Sequence, residues 1–241
     1  MILKKTSISG CLLLACLVSL MPYLSVSAQD VKNGHYIEPR GSFTLEGNYV
    51  NGMKQGSWVT YFPGGMVNRL DSYVDDMREG ACIEVSNRGF VKLLETYHKN
   101  QLDGKSVSYN RGGIVGWEKL YKDGVLDGLS KIYYEDGTIQ EEGFYRMGER
   151  DSTNNWYSTG GKLLAVYHYS NGMINGACYS YYDNGNVKTE EHYVNNVLEG
   201  PYKENYESGA LKIEGNYSAG EKKGAWKEYD ESGKQISKTS Y

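Results

Sequence analysis

Proline, cysteine, histidine and tryptophan each occur only four times in 241 residues. So little cysteine excludes a disulfide-dense scaffold, and so little proline excludes a proline-rich linker or polyproline array. No long stretch keeps a helical apolar period, which excludes a helical bundle. Positive charge is short as well, with 26 basic residues against 30 acidic ones and a formal net charge of −4. That balance disfavours nucleic acid and anionic membrane as partners.

Glycine and tyrosine are abundant, at 30 and 23 copies, and both are periodic. Tyrosine stands at residues 49, 73, 97, 121, 145, 169, 193, 217 and 241, always 24 residues apart, without insertion or deletion. A fixed period of this kind marks a repeat array, so position zero of each unit is taken as its tyrosine. Position sixteen is glycine in all eight units, from Gly65 to Gly233. Position seven is glycine except for Ser152, and position three is Gly, Asp or Asn throughout, the residue types that tolerate positive φ.

Between these turns lie tyrosines at position twelve (Tyr61, Tyr109, Tyr133, Tyr157, Tyr181, Tyr229) and aliphatic residues at position eighteen (Val67, Val91, Val115, Ile139, Leu163, Val187, Leu211). Aromatic and β-branched residues suit a pleated surface. A connection such as Asp183-Asn184-Gly185 suits a three-residue hairpin that sets position twelve opposite position eighteen. The expected fold is all-β: about eight 24-residue hairpins in an elongated, twisted, antiparallel single-layer sheet with no deep core. Sixteen strands would extend it to roughly 75 Å. Tyr133 is expected in an inward column, facing Ile139.

Residues 1–28 have a signal-peptide pattern. Lys4 and Lys5 precede an apolar run from Cys11 to Leu20, and Val26-Ser27-Ala28 offers a cleavage site before Gln29. Leu13-Leu14-Ala15-Cys16 resembles a lipobox, but the residues beyond Cys16 stay apolar, so export with cleavage after Ala28 is the expectation. The destination is the periplasm, the cell envelope or the exterior. Residues 29–48 read as a linker and partial leading repeat, and 49–241 as eight tandem repeats. Of the cysteines, Cys82 and Cys178 fall four units apart. Strand spacing puts them nearly 40 Å from each other, too far for a disulfide within the chain.

Chemistry is thinly supplied. His35, His98, His168 and His192 have no metal or triad partner at a suitable spacing. His168 and His192 share a column, but stacked units hold them about 10 Å apart, too far to share one zinc ion. The same spacing argues that Glu79, Asp103, Asp127, Asp151 and Glu199 cap turns rather than bind calcium. The expectation is a protein that is not an enzyme and uses no cofactor or metal.

The segments Glu46-Gly47-Asn48-Tyr49-Val50-Asn51-Gly52-Met53-Lys54-Gln55-Gly56 and Glu214-Gly215-Asn216-Tyr217-Ser218-Ala219-Gly220-Glu221-Lys222-Lys223-Gly224 resemble MORN repeats of the bacterial variant form. The resemblance recurs in register over residues 41–241. It implies hairpins in an extended sheet and no catalytic residues. Eukaryotic MORN proteins are associated with phospholipid or partner binding, and some bacterial variants carry an antitoxin label. Where the family has a second glycine after the loop, position nine here holds Trp58, Cys82, Ser106, Ser130, Asn154, Cys178, Tyr202 and Trp226.

Six aromatics fall outside the tyrosine columns and are candidates for a partner surface: Trp58, Phe62, Tyr134, Tyr182, Tyr202 and Trp226. The favoured function is an exported non-catalytic scaffold that binds a protein at the cell envelope. The alternatives are a glycan or cell-wall module using these aromatics and an antitoxin-like partner-binding protein.

Overall fold

The computed structural model describes residues 31–241 and contains 22 strand segments in one open antiparallel sheet. The expected signal peptide, its lipobox-like motif and its cleavage site lie outside the described residues. Pairing follows chain order, beginning with the hairpin Gly34–Arg40 and Phe43–Val50 and ending with Glu221–Tyr229 against Gln235–Ser240. Among the described residues there is no helix. Each unit supplies two strands; in four units the first is interrupted near position six, as where Met77–Arg78 and Gly80–Val85 form successive segments against Val67–Val74.

Two kinds of turn alternate along the chain. The first spans positions two and three, both with positive φ, as at Asn195 (50°) and Asn196 (69°), and it closes a two-residue hairpin in which Val194 pairs with Val197. This left-handed pair matches the twist of the flanking strands. The second kind is the expected three-residue loop. The Tyr182 amide donates to Asn186 O at 2.9 Å, the Gly185 amide donates to Tyr182 O, and Gly185 has φ of 89°. Position twelve pairs with position eighteen, as in Tyr61 with Val67 and Tyr133 with Ile139.

Successive units are also tied at their turns. Position-three amides donate to the position-five carbonyl of the previous unit, as Asp76 does to Lys54 O at 3.1 Å and Asn196 to Ile174 O at 2.9 Å. Position-six carboxylates cap the next turn: Glu79 accepts from the Lys99 amide at 3.0 Å, Asp127 from Met147 at 3.1 Å, and Glu199 from Ala219 at 2.7 Å. Backbone hydrogen bonding thus supplies the nearest-neighbour coupling that a single marginal hairpin lacks.

Burial concentrates on one face in one column, position nine. Trp58, Cys82, Ser106, Ser130, Asn154, Cys178 and Trp226 are all buried there. Tyr133, expected inward, is only half-buried. It adjoins a bulge between Ile132 and Tyr133 at the end of its ladder, whereas position nine lies mid-strand with paired neighbours on both sides.

Candidate functional site

The buried column works by size complementarity with position twenty-two. A Cβ placed on Gly47 would lie 2.2 Å from Trp58 Cδ2, and one on Gly215 would lie 2.3 Å from Trp226 Cδ2. Gly143 stands in the same relation to Asn154, at 2.1 Å from Nδ2. Where position twenty-two is Asp71 or Glu95, the facing residue is Cys82 or Ser106 instead. Asp71 pairs with Arg69 at 2.9 Å and with Arg78 at 3.4 Å, and Arg69 also reaches Glu95 at 3.4 Å. This ion network removes the unpaired-charge penalty of burial. Burial and the neighbouring Asp71 push the Cys82 thiol up to about 11, and burial raises Cys178 as well. Both thiols are free and buried.

Both tryptophans sit in one recurring arrangement. Trp58 Nε1 donates to Asn48 O at 3.2 Å, its ring meets Tyr49 edge-on at 4.8 Å, and Lys54 Nζ lies 4.5 Å from the ring centroid. Trp226 repeats this with Asn216 O at 3.2 Å, Tyr217 at 5.1 Å and Lys222 at 4.2 Å. The two tryptophans expected at a partner surface are thus placed within the sheet's own packing. Trp58 is 0% exposed and Trp226 5%, because each fills the space above a glycine and is roofed by a cation.

The other four candidates also serve the chain itself. Tyr134 and Tyr182, both at position thirteen, send their hydroxyls across to the next unit, to Tyr157 O and Asn205 O, each at 2.8 Å. Phe62, in the same column, packs on Phe43 at 5.8 Å. Tyr202 fits between Tyr217 and Trp226, at 5.6 and 5.4 Å. These four are half-buried, so none of the six presents an exposed aromatic platform. The structure brings Tyr202 and Trp226 together; Trp58 and Phe62 share the first unit, and Tyr134 and Tyr182 lie in the fourth and sixth.

The opposite face carries a feature that the tyrosine columns hide. Position twenty-three is Asn48, Ser72, Thr96, His168, His192, Asn216 or Ser240 in seven places but Leu120 and Phe144 in two. Position eight is small, polar or charged except for Leu129. Leu129 pairs directly with Phe144, and Leu120 folds against Gly128, where an added Cβ would lie 3.1 Å from it. Leu120, Leu129 and Phe144 are 39%, 36% and 39% exposed. Leu129 lines two depressions, of about 200 and 530 Å³. The readable signal is three apolar residues clustered within columns that are otherwise small or polar.

On the same face His168 Nδ1 bonds to Ala177 O at 2.5 Å, while His192 Nδ1 is buried without a partner. Among the described residues no three His, Cys, Asp or Glu side chains converge to hold a metal ion.

Residues 126–147, 174–195, 198–219 and 222–241 match the MORN repeat variant family. All four segments begin at position five, so the family's repeat runs in phase with the 24-residue period. No curated protein matches the sequence.

Proposed function

The protein carries MORN-variant repeats, which suggest a repeat-based binding scaffold and are generally a non-catalytic module; on that premise we propose that it is an exported scaffold holding a protein partner on the face that bears Leu120, Leu129 and Phe144. The observation that carries this reading is the exposed apolar cluster in columns that elsewhere stay small or polar. Clustered apolar side chains with a polar surround are a recurring feature of protein interfaces, where a few large residues dominate affinity. Lys105, Glu118, Lys131 and Arg146 rim the two depressions and give the partner polar registration. Export is supported by the apolar run Cys11–Leu20 and the small residues before Gln29.

A photo-crosslinking residue placed at position 129 or 144 tests the surface in living cells, with positions 57 and 225 on the same face as controls. Discrete protein adducts from 129 and 144 alone support the reading. Adducts of equal yield from all four positions, or none from 129 and 144, reject it.

A further inference from the structure

We infer that the sheet edge formed by the three-residue turns of the second and third units is a second binding site, for an acidic peptide segment carrying an aromatic or aliphatic side chain. The inference rests on the scaffold reading but concerns a different surface.

Two features change together at this edge and a third accompanies them. Position thirteen is filled by Phe62, Tyr134, Tyr182 and Tyr206, and the three tyrosines bridge to the next unit through their hydroxyls. The second and third units have Ser86 and Asn110 there instead. The missing rings leave a cleft of about 380 Å³ lined by Ser86, Arg88, Phe90, Tyr109, Asn110 and Arg111, among others. A second cavity of about 470 Å³, floored by Ile83 and Leu94, shares Phe90, Val91 and Tyr109 with it.

Charge changes in the same units. The corresponding loops of the fourth, sixth, seventh and eighth units carry Glu135 and Asp136, Asp183, Glu207 and Glu231, and those of the first and fifth carry no charge, whereas these two carry Arg88 and Arg111. Both arginines are exposed. Among the described residues neither guanidinium has an ion pair, while Lys92 beside them is paired with Glu84. Position seventeen is apolar from the first unit to the third, with Met66, Phe90 and Ile114 47%, 51% and 36% exposed, where the later units have Thr138, Lys162, Asn186, Ala210 and Lys234. The fifth and eighth units also lack the ring, having Ser158 and Asp230, but the fifth unit's loop Thr159-Gly160-Gly161 has no charge and the eighth unit's carries Glu231.

Two unpaired guanidiniums favour carboxylates, which they engage through paired N–H donors. The apolar floor favours a side chain beside those carboxylates. A free phosphate uses only the first feature, and an anionic membrane is repelled by the net negative chain.

The test uses the full chain and fluorescein-labelled decapeptides read by anisotropy: glutamates flanking a central phenylalanine, the same with a central glycine, and lysines flanking the phenylalanine. The glutamate–phenylalanine peptide should bind about tenfold or more tightly than the other two. Arg88→Glu with Arg111→Glu should weaken it by about tenfold or more. Ser86→Tyr, which refills the column, should abolish binding with an equal or higher thermal midpoint. Leu129→Asp should leave peptide affinity unchanged, so failure here and failure of the crosslinking test are separate results. If Ser86→Tyr misfolds, the arginine reversal decides. No binding at millimolar peptide, equal affinity for the glycine peptide, indifference to charge reversal, full displacement by millimolar inorganic phosphate, or tighter binding to phosphatidylserine vesicles would each overturn the proposal.

Discussion

Adding a single methyl group at Gly47 should be among the most damaging small changes the array can suffer. The new Cβ would lie 2.2 Å from Trp58 Cδ2 and 2.5 Å from Cε2, far inside a normal carbon contact of about 3.5–4.0 Å. Trp58 has no exposed surface into which it can shift. The backbone at Gly47 lies outside the left-handed region, so the whole penalty is steric, about 3 kcal/mol at the upper end of overpacking costs. Gly56→Ala is the control: φ is +70° and no atom lies within 4 Å of the new Cβ. Its left-handed strain of about 1–2 kcal/mol is partly offset by a stiffer unfolded chain, leaving about 1 kcal/mol. Trp58→Ala alone should cost about 3–5 kcal/mol. Combined with Gly47→Ala it should fall short of the sum by about 2 kcal/mol, because the methyl then meets no ring. Urea unfolding followed by far-ultraviolet circular dichroism reads all four. Equal midpoints for Gly47→Ala and Gly56→Ala, or strict additivity in the double variant, would refute the size-complementary column.

Ser152 is the one non-glycine at position seven and adopts φ of 60°. Ser152→Gly should raise the thermal midpoint, by about 1 kcal/mol of stability, despite losing its 3.0 Å bond to Asp151; an unchanged or lower midpoint contradicts the strain. Tyr182→Phe removes the hydroxyl that reaches Asn205 O and should cost about 1 kcal/mol in denaturant titration, whereas Tyr181→Phe, for which no hydroxyl hydrogen bond is seen, should cost less. The folded Cys82 thiol keeps its proton up to about 11, against 9.0 for an ordinary cysteine. The folded state therefore binds the extra proton, so this contribution to stability is full below pH 9 and is lost as pH rises towards 11. Thiol alkylation at pH 8 should be much slower in the folded chain than in urea, and equal rates would contradict the burial.

The period, the places of both turns, the three-residue loop and the pairing of positions twelve and eighteen were legible because each is a local requirement: Gly185 needs a left-handed φ, and Tyr133 and Ile139 are brought together by a loop of fixed length. The buried column was not legible because its members share no chemistry. Trp58, Ser106 and Asn154 become equivalent only when each is seen beside its neighbour at position twenty-two, and that relation appears once both strand registers are known. The six aromatics looked free for the same reason. Tyr134 and Tyr182 gain structural roles from a carbonyl 23 residues away, and the tryptophans gain roofs from Lys54 and Lys222. The Leu120, Leu129 and Phe144 cluster is an anomaly within two columns, masked in the sequence by the stronger tyrosine period.

The scaffold reading is tested most directly by calorimetric titration of the partner recovered from the position-129 adduct against the parent chain and the Leu129→Asp, Phe144→Asp double variant. The account predicts at least about tenfold weaker binding for the variant, roughly 1.4 kcal/mol, with a thermal midpoint close to the parent's because both side chains are already partly exposed. Parent-like affinity in a folded double variant would contradict it.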